Sequence, residues 1–306
     1  MSDIKLFKLG QNSVTELFSK AAKLEKDLQQ LLEQQMDTFL GISFLASEFT
    51  TSNGGRIDSL GLDENRCPVI IEYKRHTNEN VINQGLFYYD WLLDHKAEFQ
   101  LLVMKVIGIE AAEEIEWDGA RLVCIASDFN KYDEHAIKQI DKNIELMRYK
   151  FFGEDLLMLE LVNTQSTKAH QPKASTKVSN AKLSAQDKNH QLALNSSSDN
   201  LLKIYNEICD FCESLGDDSQ RKELKHYTAY KRIKNFASFH VLPHKKDERI
   251  LMYLKVNLSA ITLEDGFTHN VTNKGHWGTG NLEVVIRNQQ DIEKAKPLIQ
   301  QSFENN

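Results

Sequence analysis

Three side chains in the segment GGRIDSLGLDENRCPVIIEYK, residues 54–74, have the types and spacing for metal-assisted phosphate chemistry: Asp58, Glu72 and Lys74. Side chains alternate faces along a strand, so Asp58, Leu60 and Leu62 share one face of a first strand, and Ile70, Glu72 and Lys74 share one face of a second. A turn at Glu64-Asn65-Arg66 sets Asp63 opposite Cys67, and the same register carries Asp58 directly opposite Glu72. Opposed residues of an antiparallel pair have Cβ atoms roughly 5 Å apart, where like charges repel. A divalent cation relieves that repulsion: Mg2+ or Mn2+ takes one or two carboxylates and completes its shell with water and phosphate oxygens, which makes Asp58 and Glu72 the candidate metal ligands. Lys74 would orient or help deprotonate a water and balance charge on the phosphate. A Glu-x-Lys triplet alone is common in a chain with 26% charged residues. Its weight here comes from Val69-Ile70-Ile71, apolar on both faces as in a buried strand, and from Gly54-Gly55, which permit a tight entry into the first strand.

The flanking elements must bring further groups to these three. From Val14 to about Phe39, apolar residues recur at helical spacing (Val14, Leu17, Phe18, Ala21, Leu24, Leu28, Leu31, Leu32, Met36), which predicts one amphipathic helix. Glu25 falls within that stripe, whereas Glu16 and Glu33 project to the polar side. A carboxylate on a packing face needs a cation or a bound metal, so Glu25 either joins the site or snorkels to water from the stripe's margin. A second helix, from about Asn80 to His95, stacks Gln84 one turn from Tyr88 on its inward face. That pair can hydrogen-bond a lysine, a phosphate or a base, or can be ordinary core. Arg56, Arg75 and Tyr88 are the candidate nucleic-acid contacts around the three central residues.

A helix with an acid, an Asp in a strand after a glycine pair, Glu-x-Lys in the next strand and a helix with Gln-x-x-x-Tyr together resemble the PD-(D/E)XK nuclease superfamily. The wording LEKDLQQLLEQ and GRIDSLGLDE…VIIEYKR is most similar to its NucS-like branch, over residues 14–106. The resemblance implies a restriction-endonuclease-like fold, a mixed sheet flanked by helices, with Glu25, Asp58 and Glu72 as acids on the metal side, Lys74 as the catalytic lysine and Gln84 in support. Ile57 stands where the superfamily's motif has proline, and members of the superfamily that have lost activity exist.

The rest of the chain sets the frame. With 306 residues and 41% hydrophobic residues, about two domains are expected. MSDIKLFKLG does not read as a signal peptide and no apolar run reaches the roughly 18 residues that span a bilayer, so a cytoplasmic protein away from membranes is expected. Strands are predicted at 99–106, 121–127 and 156–162 and a helix at 133–147, which gives an α/β nuclease-like domain over residues 1–162. Residues 163–199, rich in Asn, Gln, Ser, Thr, Lys and Ala and without an aromatic residue, predict a flexible polar linker. Residues 200–306 predict a smaller α+β domain: a helix ended by Gly216, strands at FASFHVLP, RILMYLKVNL and LEVVIRN, and a last helix from about Gln290 to Phe303. This half resembles an uncharacterised domain found after such nuclease cores and sometimes labelled a predicted transport protein. Cys209 and Cys212 form a C-x-x-C within helical sequence and read as structural, and GHWGTG lacks the Lys-Ser or Lys-Thr of a phosphate-binding loop. Trp277 within it is a turn anchor or a stacking surface.

Charge divides unevenly. Residues 1–160 carry 17 Lys and Arg against 28 Asp and Glu, while the remainder is net basic. Polyanion affinity draws on phosphate neutralisation, so the second domain is the better candidate for holding nucleic acid. Its segment 221–234, with Lys225, Lys231 and Arg232 interleaved with Tyr227 and Tyr230, is either a base-stacking basic patch or an ordinary solvated face. Two function classes follow: a magnesium-dependent endonuclease acting on DNA, or less readily RNA, in repair or defence; or a non-catalytic nucleic-acid-binding or adaptor protein on a nuclease-like core. A homodimer is compatible with either.

Overall fold

Short apolar runs between turn residues dominate the first half of the chain, and in the computed structural model, which describes residues 4–76, 80–165, 190–276 and 278–306, most of them are strands of one sheet. The chain divides into two units, Met1–Lys168 and Ala169–Asn306. The first comprises, in order, β1 (Leu6–Leu9), β2 (Val14–Leu17), β3 (Ser19–Lys20), α1 (Glu25–Gln34), α2 (Met36–Leu40), β4 (Ile42–Thr50), β5 (Arg56–Asp63), β6 (Pro68–Lys74), α3 (Val81–Asp94), α4 (Lys96–Val106), α5 (Ile109–Glu113), β7 (Arg121–Ala126), α6 (Lys131–Ile137), β8 (Ile144–Phe152) and β9 (Leu156–Gln165). Strands β4, β5, β6, β7 and β8 lie side by side in that order, and β3 and β9 both pair with β8. The pairs β6–β7 and β7–β8 are parallel and the others antiparallel. Parallel neighbours need crossovers, supplied by the stretch from α3 to α5 and by α6. One core packs Leu60, Leu62, Ile70, Leu122 and Cys124 of the sheet against Val81, Tyr88 and Leu92 of α3 and Phe99 of α4. Helix α1 packs on β5 and β6, burying Leu28 and Leu32 completely. The result is a mixed α/β sheet flanked by helices, the arrangement expected.

Three element assignments differ from the expectation. The single helix over Val14–Phe39 is instead two short strands followed by α1 and α2. Val14–Leu17 pairs with Leu6–Leu9 across a turn closed by the Gly10 N–H to Ser13 O bond (2.8 Å), so a partner outside the periodic window decides its conformation. Residues 99–106 form most of α4 rather than a strand: Phe99 and Val103, four apart, are buried while Leu101, Met104 and Val106 are exposed. A short apolar run does not by itself tell strand from helix. The helix at 133–147 is cut to α6, capped by Asn130 Oδ1 accepting from the N–H groups of Tyr132 and Asp133 (2.7 and 3.0 Å), because Ile144–Arg148 pairs in parallel with β7.

The second unit comprises α7 (His190–Asn195), α8 (Asp199–Ser214), β10 (Gln220–Glu223), β11 (Thr228–Lys231), β12 (Asn235–Leu242), β13 (Arg249–Leu254), β14 (Thr268–Asn270), β15 (Leu282–Ile286) and α9 (Gln289–Glu304). Its six strands form an antiparallel sheet in the order β10-β11-β12-β13-β15-β14, one face of which packs on α8 and α9 through Phe239, Met252 and Val284 against Ile208, Ile292 and Ile299. Strand β9 and helix α7 extend into both ends of the segment read as a linker, whose residues 166–189 lie outside the described residues, as does Trp277. All four cysteines are buried free thiols, in keeping with a structural role for Cys209 and Cys212.

Candidate functional site

The β5–β6 hairpin has the register its turn dictates. Ser59 faces Ile71, Leu60 faces Ile70, Gly61 faces Val69 and Leu62 faces Pro68. Asp63 builds the turn, its Oδ1 accepting from the N–H groups of Asn65 (2.8 Å) and Cys67 (2.9 Å), while the buried Arg121 side chain binds its Oδ2. One step beyond the paired residues, Asp58 and Glu72 meet: the Asp58 N–H donates to Glu72 Oε1 (3.2 Å) and the Tyr73 N–H donates to Asp58 Oδ2 (3.0 Å).

Electrostatics at this pair are those of two crowded carboxyl groups that Lys74 offsets only in part. Glu72 is fully buried, and its carboxyl is pushed up to about 9, first by burial and then by the negative charge of Asp58. Burial also raises Asp58, opposed by the Tyr73 N–H and by Lys74. Glu72 Oε2 is buried without a hydrogen-bond partner. An orphaned carboxylate oxygen beside a second carboxylate is a donor set that suits a hard divalent cation, with water and phosphate oxygens completing the shell. Among the described residues no group of three or more His, Cys, Asp and Glu is placed to hold a metal.

Lys74, at the end of β6 and largely buried, lies 3.2 Å from Glu25 Oε1, and Glu25 Oε2 accepts from the Arg75 N–H (3.1 Å). Glu25 therefore reaches the site, but as the first residue of α1, with its side chain 40% exposed, rather than from the middle of a packed stripe. Glu33 does not project to the polar side as expected; it accepts from Ser59 Oγ (2.6 Å) on the sheet. Gln84 and Tyr88 are brought together, Gln84 Nε2 donating to Tyr88 Oη (3.3 Å), and Tyr88 Oη accepts from the Arg56 N–H (3.3 Å). They thus serve the entrance of β5. Glycine is required there: a Cβ at Gly55 would lie 2.3 Å from the Tyr88 ring. Arg56 pairs with Glu48 (2.6 Å) and Arg75 Nε donates to Ala22 O (3.0 Å), so both arginines are engaged within the unit.

The basic segment of the second unit is not the stacking surface envisaged. Tyr230 is fully buried and donates to Glu213 Oε1 (2.8 Å) and Lys231 is 2% exposed, because both faces of β11 are covered, and Tyr227, just before the strand, is 6% exposed. Arg232 binds Asp218 (2.7 Å) and lies over the Phe303 ring, which leaves Lys225 as the exposed member of the set. The tyrosines therefore have no free face for a base.

Sequence reasoning missed Gln29, buried on α1, whose amide donates to Asp58 O (2.9 Å) and Glu33 Oε1 (2.9 Å) and lies 3.2 Å from Ser47 Oγ. The signal was present: Gln29 falls four residues from both Glu25 and Glu33 and between Leu28 and Leu32 of the packing stripe.

Comparison with known proteins gives similarities of three kinds. A domain of unknown function, DUF5655, matches residues 192–306. An uncharacterised protein of Haemophilus influenzae is 30% identical over 311 residues, covering 98% of this chain and 99% of that one. Two solved structures, a repair endonuclease from Pyrococcus abyssi (13% identity) and the EndoMS–dsDNA complex (12% identity), each match with a TM-score of 0.30 over 47% of this chain, which spans 64% of their length. No helix among the described residues is long and apolar enough to cross a membrane.

Proposed function

The chain belongs to the same family as that uncharacterised Haemophilus influenzae protein, and we propose that its first unit is a metal-dependent nuclease hydrolysing phosphodiester bonds of DNA, or less readily RNA. The observation that carries this reading is the contact of Asp58 with the buried Glu72, whose Oε2 is left without a partner. Asp58 and Glu72 would hold Mg2+ or Mn2+, which when bound supplies Lewis acidity toward the phosphate and a ready source of hydroxide. The protein's own residues do the rest. Lys74 presents an ammonium at the end of the same strand face, where it can orient the attacking water and balance charge accumulating on the phosphate oxygens. Glu25 fixes that ammonium from one side (3.2 Å), so its remaining N–H donors are free to turn toward substrate.

The test is metal dependence of both stability and cleavage. In the wild type, Mg2+ or Mn2+ is expected to raise the melting temperature and to switch on cleavage of duplex or single-stranded DNA. Asp58→Ala is expected to remove both responses while still folding, since the variant gives up one hydrogen bond, from the Tyr73 N–H, and relieves the crowding of two carboxyl groups. Equal metal shifts in wild type and Asp58→Ala would refute the shared site.

A further inference from the structure

Strand β4 has one residue in the left-handed region, Glu48 at φ 53, and it stands opposite Asp58. The β4–β5 register runs Ser47 to Ser59 and Phe49 to Ile57 but skips the pair between them, Glu48 with Asp58. A non-glycine residue held there is strained, and such strain gathers at functional positions. Both main-chain groups of Asp58 are bound by side chains instead: its N–H donates to Glu72 Oε1 (3.2 Å) and its C=O accepts from Gln29 Nε2 (2.9 Å).

We propose that Gln29 is a positioning residue for the Asp58–Glu72 site, taking the place of the strand partner that β4 fails to offer; the inference rests on the metal-binding reading of that pair. Gln29 is 5% exposed, and its amide is held on its other side by Glu33 Oε1 (2.9 Å) and lies 3.2 Å from Ser47 Oγ, so it has little freedom to move. Glu33 is in turn fixed by Ser59 Oγ (2.6 Å), and Ser59 Oγ lies 3.2 Å from Tyr73 Oη, so the network ties α1 to both strands that carry the carboxylates, on the face away from them. It sets the height at which the Asp58 carboxylate meets Glu72 without touching metal or substrate.

Gln29→Met keeps the volume of the side chain and removes its donors; Gln29→Glu keeps the shape and replaces the amide by an acceptor. Leu28→Ala destabilises the same helix without touching Asp58, since Leu28 is completely buried on its own. The readouts on the full-length chain are the Mn2+ and Mg2+ concentrations that give half of the metal-induced melting shift, and the division of any activity change between kcat and KM. Outer partners of metal ligands typically contribute about 10–100-fold in metal affinity. Both Gln29 variants are expected to need at least about tenfold more metal, with kcat lowered at saturating metal and KM for DNA little changed. Leu28→Ala is expected to lower the metal-free melting temperature at least as much while keeping the wild-type metal requirement. If wild type responds to metal and the Gln29 variants respond at the same concentrations, Gln29 has no positioning role and the metal reading stands. If Leu28→Ala shifts the metal requirement equally, the effect is general loosening of α1 and the proposal is overturned. Wild type without any metal response overturns the metal reading itself, and the inference with it.

Discussion

Lys74 and the two carboxylates can be separated experimentally because they act on different things. Lys74→Ala deletes a cation that pairs with Glu25 at 3.2 Å but takes no part in the Asp58–Glu72 contact, so the metal-induced melting shift is expected to persist. Cleavage is expected to fall by roughly 100-fold or more, the usual effect of losing a charge-stabilising donor; single-turnover rates at saturating metal measure it, and unchanged turnover excludes Lys74 from the chemistry. The opposed carboxylates were legible in the sequence because a tight turn and two alternating strands fix a register within a few residues. The place of Gln29 on the packing stripe was legible too, but its link to Asp58 was not, because that depends on the conformation of Glu48, and glutamate carries no preference for positive φ that a reader could see.

Helices and strands were readable wherever the pattern was decided locally, as in β5, β6, α3, α8 and α9, and misread where a distant partner decided it. Val14–Leu17 takes its conformation from β1, and Ile144–Arg148 from β7, and neither partner leaves a mark in the segment itself. The turn between β5 and β6 offers a test of local geometry. Arg66 adopts φ 62 there, and its ion pair with Glu114 is long, 3.7 Å, and exposed. The left-handed conformation costs a residue with a Cβ about 1–2 kcal/mol, against which glycine loses up to about 1 kcal/mol of chain entropy, so Arg66→Gly is expected to stabilise the unit by roughly 0.5–1 kcal/mol. Urea titration reads this as a higher midpoint at unchanged slope, and a lower midpoint would show that the Glu114 pair matters more than the strain.

The molecule as a whole combines an acidic first unit with a second unit in which part of the basic 221–234 segment is built into the sheet, Lys231 fully so. Burial of Tyr230 and Lys231 was invisible to a reading based on charge runs, which does not distinguish a solvated face from an interior strand of a sheet packed on a helix. The second unit also carries an acid-sensitive group. His190 is buried between Thr228 Oγ1 (2.8 Å) and Tyr205 Oη (3.3 Å), and burial, reinforced by the nearby His240 and Arg221, pushes it down to about 4. A depressed pKa means that the unfolded chain binds the proton first, at about 6.5; the stabilisation is complete above that pH and is lost progressively as pH falls toward 4. The loss from this one group is about 3 kcal/mol. Denaturant titrations of the intact chain between pH 7 and 4 are expected to show it in the transition of the second unit, and His190→Gln is expected to flatten that dependence; an unaltered slope in the variant would assign the acid sensitivity elsewhere.

Both carboxylates of the proposed site belong to one hairpin, and this fixes when they meet during folding. Asp58 and Glu72 are 14 positions apart, whereas Lys74 and Glu25 are 49 apart and β7 joins β6 only after a long crossover. Short loops close at lower entropic cost, so this hairpin is expected to form before the crossovers close, and its two carboxyl groups are brought together before α1 delivers Glu25 to Lys74. The cost of crowding two carboxyl groups, which in the finished protein pushes Glu72 up to about 9, therefore weighs on the folding barrier as well. A divalent cation held by the pair is expected to speed refolding in denaturant-jump experiments, and in Asp58→Ala refolding should be fast without it; a metal effect confined to the unfolding rate would place the pairing of β5 with β6 after the barrier.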